Sequence, residues 1–430
     1  DTNMKPKFCM DKYKIFILIA VFSFNILTFS CSSSDTKSGD RELAPDNYQK
    51  IEQNVLPSTN NNNPLHSAEE KTFPILDIPM NQWPETNFQR VESSTDIKDI
   101  YSGGIGKDGI PPIYNPRFTS VNEANQIEWL TDDHPIAVLK IEQEAHGYPL
   151  GILNFHEIVN DTISGTPVLV TYCRLCYTAV AFKRNLNGEN LTFGSTGTLQ
   201  KSNLIMWDNS TQSWWQQLTG LAIIGDLAGS SLEQLPINIT SFKTFTETYP
   251  NGKVLSTKST KFSMAEIYGK NTTLKYDSPN TKPFLFFDVI DDRLNPVERV
   301  LGIDLDTTYT AIPFSKIDDR AVTHITLMER ELVVFYDPNT LSALDNEKIS
   351  ESRKAGSASI FKTHIDDRKL TFLKKEGRIY DQETGSEWSY LGQSVNGPLE
   401  GTSLDQINAI NSLWFAWSAF HPNTKIATIE

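Results

Sequence analysis

The chain has 430 residues, of which 39% are hydrophobic, 10% aromatic and 21% charged, and its formal net charge is −14. That is the composition of a folded protein, and the length suits two domains. So acidic a surface repels nucleic-acid phosphates, and no Lys/Arg cluster offsets it, which excludes nucleic acid as a partner.

Residues 1–31 read as an export signal. Asp11-Lys12-Tyr13-Lys14 after Met10 supplies a charged start, and Ile15 to Phe29 is an apolar run too short to span a bilayer comfortably. It ends in Ser30-Cys31, followed by Ser32-Ser33-Ser34. This resembles the signal of bacterial lipoproteins, which implies an acylated Cys31 holding the protein to the bilayer of the cell envelope, at the outer membrane or cell surface. The competing reading is a plain secretory signal with an incidental cysteine. Residues 32–100, with Asn60-Asn61-Asn62-Asn63-Pro64, offer little to bury and read as a disordered tether.

From Tyr101 the texture becomes that of a domain. The loop Gly103-Gly104-Ile105-Gly106-Lys107-Asp108-Gly109 lacks the P-loop pattern, and Pro111-Pro112 block a following helix, so no nucleotide site is expected. Ser120-Val121-Asn122-Glu123 is a capping box that starts a short helix, and Pro135–Ile141 reads as a strand. Pro149 stands where a further helix begins; that helix is expected to run to Asp161 and to carry His156, Glu157, Asn160 and Asp161. Next, Val168 to Tyr172 is a buried strand that delivers Cys173 and Cys176 into a tight turn, and Thr178–Phe182 returns as a second strand. Trp214, Trp215, Trp388, Trp414 and Trp417 read as core residues rather than as a sugar-binding face.

The second half echoes the first. Asp208 to Trp214 is matched by Asp381 to Trp388, Gly229-Ser-Ser-Leu232 by Gly401-Thr-Ser-Leu404, and Tyr249-Pro250-Asn251 by His421-Pro422-Asn423. One stretch is not matched: opposite Val170-Thr-Tyr172-Cys173 stands Val334-Phe-Tyr336-Asp337, without thiols. The expected fold is therefore β-rich α+β, two homologous copies of one β-dominated unit packed pseudo-symmetrically. The first copy spans 101–258, a linker 259–282, and the second, degenerate copy 283–430.

Two thiols three residues apart can grip a metal, exchange with a disulfide, or staple a turn. As a site for one transition metal ion, zinc or copper, they need more donors; His156 leads, with Glu157, Asp161 and His421 as alternative or supporting ligands. The competing function is a non-catalytic envelope module with a protein or glycan partner, in which the pair is a structural disulfide. No Ser-His-Asp order, HExxH or nucleophile elbow is present.

His156-Glu-Ile-Val-Asn160-Asp161, then Pro167-Val-Leu-Val-Thr-Tyr-Cys173-Arg-Leu-Cys176, and Arg293-Leu-Asn-Pro-Val-Glu-Arg299-Val-Leu-Gly302 together resemble the bacterial domain-of-unknown-function family 3179. The resemblance implies export and no particular activity. It departs where Arg174 and Tyr177 replace a proline and a glycine around the second thiol, and where Tyr249-Pro250 replaces a His-Pro pair.

The signal reading gives the first prediction. Replacing Cys31 with Ser should move the protein from the membrane fraction to the soluble fraction on ultracentrifugation; a variant that still pellets with membranes would count against acylation.

Overall fold

The computed structural model describes residues 100–259, 266–305 and 308–429. The export signal, Cys31, the tether and part of the 259–282 linker lie outside the described residues. The fold is β-rich, and its α-helices are single short segments of four to seven residues. Among the described residues no helix is long and apolar enough to cross a membrane.

The capping box forms as expected. Ser120 Oγ accepts from the backbone N–H of Glu123 while the Glu123 carboxylate accepts from the N–H of Ser120, starting the helix Val121–Ala124. Strand Pro135–Ile141 pairs antiparallel with Glu144–Pro149, and Ile237–Ser241 pairs antiparallel along its other edge. Lys253–Leu255 runs parallel to Glu144–Pro149 beyond the helix Phe242–Thr248.

The helix expected to run to Asp161 is instead Leu150–Leu153, and Ile158–Ile163 is a strand. The reason is local. Ile158, Val159, Thr162 and Ile163 are β-branched and pair well on a pleated surface. Ser164 and Gly165 both have positive φ (47° and 77°), which turns the chain tightly into the next strand. Ile158–Ile163 thus pairs with Thr166–Cys173 from Ile158↔Thr171 to Ile163↔Thr166. Asn160 and Asp161 sit on this strand, and His156 and Glu157 occupy the bend before it.

Thr166–Cys173 and Thr178–Lys183 form the expected hairpin, paired from Val168↔Lys183 to Cys173↔Thr178. Phe193–Gln200 and Asn203–Asp208 form a second hairpin in a separate sheet with Trp214–Gln216 and Ala222–Ile224.

In the C-terminal part, Arg299–Leu305 pairs antiparallel with both Thr308–Pro313 and Ala409–Leu413, and Lys425–Ile426 runs parallel to Thr308–Pro313 beyond the helix Trp414–Phe420. Arg330–Asp337 lies between Val322–Leu327 and Ser357–Lys362. The largest core cluster contains Tyr172, Cys173, Cys176, Tyr177 and Trp215 from the N-terminal side together with Val300, Leu413, Trp414 and Trp417. All five tryptophans read as core are buried.

The recurrent Asp-Thr-Ser-Trp motif builds one local structure twice. Asp208 accepts from the N–H of Thr211 at 2.7 Å, from Thr211 Oγ1 at 3.0 Å and from Trp215 Nε1 at 2.9 Å. Asp381 accepts from the N–H of Thr384 at 2.6 Å, from Thr384 Oγ1 at 2.9 Å and from Trp388 Nε1 at 2.9 Å. The counterpart of Trp388 is therefore Trp215, one residue beyond the Trp214 that the sequence pairing picks out.

Each carboxylate is buried and holds a turn onto a tryptophan. Replacing Asp208 or Asp381 with Ala strands a backbone N–H and an indole N–H, so each variant should lose about 2–4 kcal/mol. Urea denaturation checks this, and a loss below about 0.5 kcal/mol at either position would refute the motif's role.

Candidate functional site

The thiol turn Cys173-Arg174-Leu175-Cys176 closes with the N–H of Cys176 donating to the carbonyl of Cys173 at 3.2 Å. Tyr177 then adopts φ +56°, the left-handed region that favours glycine. Both thiols are free and buried, at 2% and 0% exposure. Both also donate to one carbonyl oxygen, that of Ser202, from Cys173 Sγ at 3.7 Å and from Cys176 Sγ at 3.5 Å.

That carbonyl belongs to the tip of the 193–208 hairpin. Lys201 and Ser202 both have positive φ (50° and 67°), although neither is the Gly or Asn such turns favour. The strained turn aims a carbonyl at the sulfurs. Burial, and then the neighbouring Cys173, pushes the Cys176 thiol well up, which keeps it protonated.

The structure divides the sequence-derived ligands. His156 spends both ring nitrogens away from the sulfurs: Nδ1 lies 2.7 Å from the Pro111 carbonyl and Nε2 2.7 Å from the Tyr268 hydroxyl. Both nitrogens of the expected leading ligand are thus engaged by a carbonyl and a hydroxyl. Asp161 is also engaged elsewhere, 2.7 Å from His146 Nδ1 and 2.6 Å from the Tyr148 hydroxyl, both in the neighbouring sheet. His421 is stacked on Tyr309, with ring centroids 4.0 Å apart, and lies 4.1 Å from the Trp417 ring. Glu157 alone stays near the thiols. Its carboxyl is buried and raised by desolvation, with Arg174 Nε at 3.8 Å opposing that shift. Among the described residues no group of three or more His, Cys, Asp or Glu side chains is arranged to hold a metal ion.

What the sequence did not reveal is a buried cation next to the turn. Arg299, at the start of its strand, has its guanidinium carbon 3.7 Å from the Tyr177 ring centroid. Its Nη2 donates to Asp277 Oδ2 and to Ser342 Oγ, each at 2.9 Å, and Arg353 Nη2 meets the same carboxylate oxygen at 2.8 Å. Burial alone would raise the Asp277 carboxyl, but the two guanidiniums and the Ser342 hydroxyl outweigh it and hold the carboxyl below its usual range. Arg299 and Asp277 lie 22 residues apart in sequence and in different segments. Only an arginine opening a mostly apolar strand hinted at this.

With this geometry in hand, comparison with known proteins adds one match. A family model described as "Protein of unknown function (DUF3179)" covers residues 107–424. No curated protein and no solved structure matches the chain.

The buried histidines carry a pH signature. Burial lowers His421 from 6.5 to about 4, and His134, whose Nε2 accepts from the N–H of Gly151, from 6.5 to about 3. Because the folded values are depressed, the stability these groups contribute is present above about pH 6.5 and is lost as pH falls through the folded values. His421→Phe should remove part of that loss, on the order of 2 kcal/mol between neutral and mildly acidic pH. Urea midpoints at several pH values check it; an unchanged acid sensitivity in the variant would contradict a neutral buried His421.

Proposed function

This chain belongs to the DUF3179 family, and from that premise we propose that it is an exported, lipid-anchored envelope protein whose Cys173–Cys176 pair serves as a structural staple. One observation carries this reading: two buried thiols share a single carbonyl acceptor, Ser202 O, which sets them side by side, and among the described residues no group of three or more His, Cys, Asp or Glu side chains gathers around them. In an oxidising compartment such a pair closes by exchange with an external disulfide. Cys173 and Cys176 each give up a proton and together two electrons, one S–S bond forms, and the donor disulfide leaves as two thiols. The loop closed is short, so the entropic gain is about 2 kcal/mol. A raised thiol pKa and burial make later exchange slow, which suits a staple and not a turnover site.

A second reading rests on the same convergence of sulfurs. Zinc takes four donors in a tetrahedron, and two thiols do not supply them. A monovalent copper ion is soft and accepts thiolates, so Cys173 and Cys176 fit copper better than zinc.

We also infer that residues 101–258 and 283–430 are two copies of one unit. The support is the shared arrangement of an antiparallel hairpin with one antiparallel and one parallel neighbour and a helix between those neighbours, plus the twin Asp-Thr-Ser-Trp turns.

Alkylation decides between these readings. Protein purified without reductant and denatured should take up no alkylating label at Cys173 or Cys176, and both should label after reduction. Free thiols that persist when the denatured protein is refolded in oxidised glutathione would overturn the staple. Stoichiometric copper(I), retained by the wild type against a chelator and lost in Cys173→Ser, would favour the second reading.

A further inference from the structure

Away from the thiols, the C-terminal sheet opens into a cleft of about 120 Å3, walled by Tyr309, Trp417 and His421 and rimmed by Asp304, Asn408 and Gln234. We propose that this cleft binds one neutral sugar or polyol ring.

The wall is aromatic and uncharged. Tyr309 and His421 stack at 29°, and the Trp417 ring lies tilted against the same imidazole, 4.1 Å away, and edge to face with Tyr309. Trp417 is fixed there by its indole N–H, which donates to Thr424 Oγ1 at 2.9 Å, and by Gly302, where a Cβ would fall 2.2 Å from the indole ring. Burial keeps the His421 ring neutral at physiological pH. Such a wall offers C–H and π surface without repelling or attracting an ion.

The rim supplies the polar half. Asp304 and Tyr309 face each other across the Arg299–Leu305 and Thr308–Pro313 hairpin, so the carboxylate stands beside the aromatic wall. Asn408 just precedes the strand Ala409–Leu413, and Gln234 enters from the N-terminal half on the short strand Gln234–Leu235. Among the described residues neither carboxamide is held by another side chain. A carboxamide both donates and accepts, and a carboxylate oxygen accepts from a hydroxyl, which together is the pattern vicinal hydroxyls require. Anionic ligands are disfavoured by Asp304, and larger apolar ligands by the volume. The site lies apart from the dithiol and does not depend on the state of Cys173 and Cys176.

The probes are methyl α-glucopyranoside, N-acetylglucosamine and inositol, with tetramethylammonium chloride as a cationic control, followed by saturation-transfer NMR and calorimetry on the whole protein. At least one neutral probe should bind the wild type with a Kd in the millimolar range, as suits a single small ring. Asp304→Asn and Gln234→Ala should each weaken it about tenfold, from loss of one or two hydrogen bonds, with unchanged urea midpoints. Three results would overturn the proposal: no neutral probe binding at roughly 50 mM, equal affinity in both variants, or binding of tetramethylammonium alone.

Discussion

The structure depends on a reciprocal contact between its halves. The turn after Thr166–Cys173 presents the carbonyl of Cys176 to the N–H of Leu413, at 2.9 Å, at the start of the helix Trp414–Phe420. The end of Arg330–Asp337 presents Asp337 to the start of the helix Phe242–Thr248. There the carboxylate accepts from Ser241 Oγ at 2.8 Å, Thr244 Oγ1 at 2.9 Å and Thr240 Oγ1 at 3.1 Å. Each strand end therefore docks on the start of a helix in the other half, where it accepts from the N–H of the residue just before that helix, Leu413 in one case and Ser241 in the other. Each half also caps its own helix: Ser241 Oγ accepts from the N–H of Thr244, and the N–H groups of Trp414 and Phe415 donate to the carbonyls of Glu298 and Pro296. That exchange ties the two halves into one body and explains why the thiol turn is deep inside it.

Arg299 reinforces the same contact. It belongs to the C-terminal sheet but lies over the ring of Tyr177, directly after the second thiol. A bulky residue at positive φ costs on the order of 1–3 kcal/mol, and glycine would avoid that strain. Tyr177 accepts it because its ring fills the space between Tyr172, 6.1 Å away edge to face, and the guanidinium. The cation is in turn neutralised by Asp277 from the segment joining the halves. Removing the carboxylate would leave a buried charge without its counter-ion, which costs more than the pair contributes.

Much of this was legible in the sequence, and the reasons differ by residue. Val168–Tyr172 and Thr178–Phe182 announced the hairpin because β-branched residues and a compact turn are local signals. Ser120 and Glu123 announced their helix for the same reason. The extension of the second helix to Asp161 failed because an apolar run with polar interruptions satisfies helical and strand periods alike, and the Ser164-Gly165 turn settled the matter. The hydrogen bonds of His156 were not legible because its partners, the Pro111 carbonyl and the Tyr268 hydroxyl, are set by chain packing across 45 and 112 residues. Nothing near position 156 encodes them. The pairing of Arg299 with Asp277 was invisible for that same reason.

The two strand ends do the same mechanical task with different chemistry, and this bears on why only one carries thiols. Asp337 can cap a helix with its side chain because Ser241, Thr240 and Thr244 surround it with hydroxyl donors. Opposite the thiol turn the helix starts at Leu413 and Trp414, which offer no hydroxyl to hold a carboxylate, and there the backbone carbonyl of Cys176 accepts from the N–H of Leu413 instead. A carboxylate in that apolar setting would be buried without donors, whereas a thiol is a small apolar group that tolerates it. The turn then has to keep its shape without side-chain capping bonds. A link between Cys173 and Cys176 would hold that shape covalently, across the very turn whose carbonyl the other half requires.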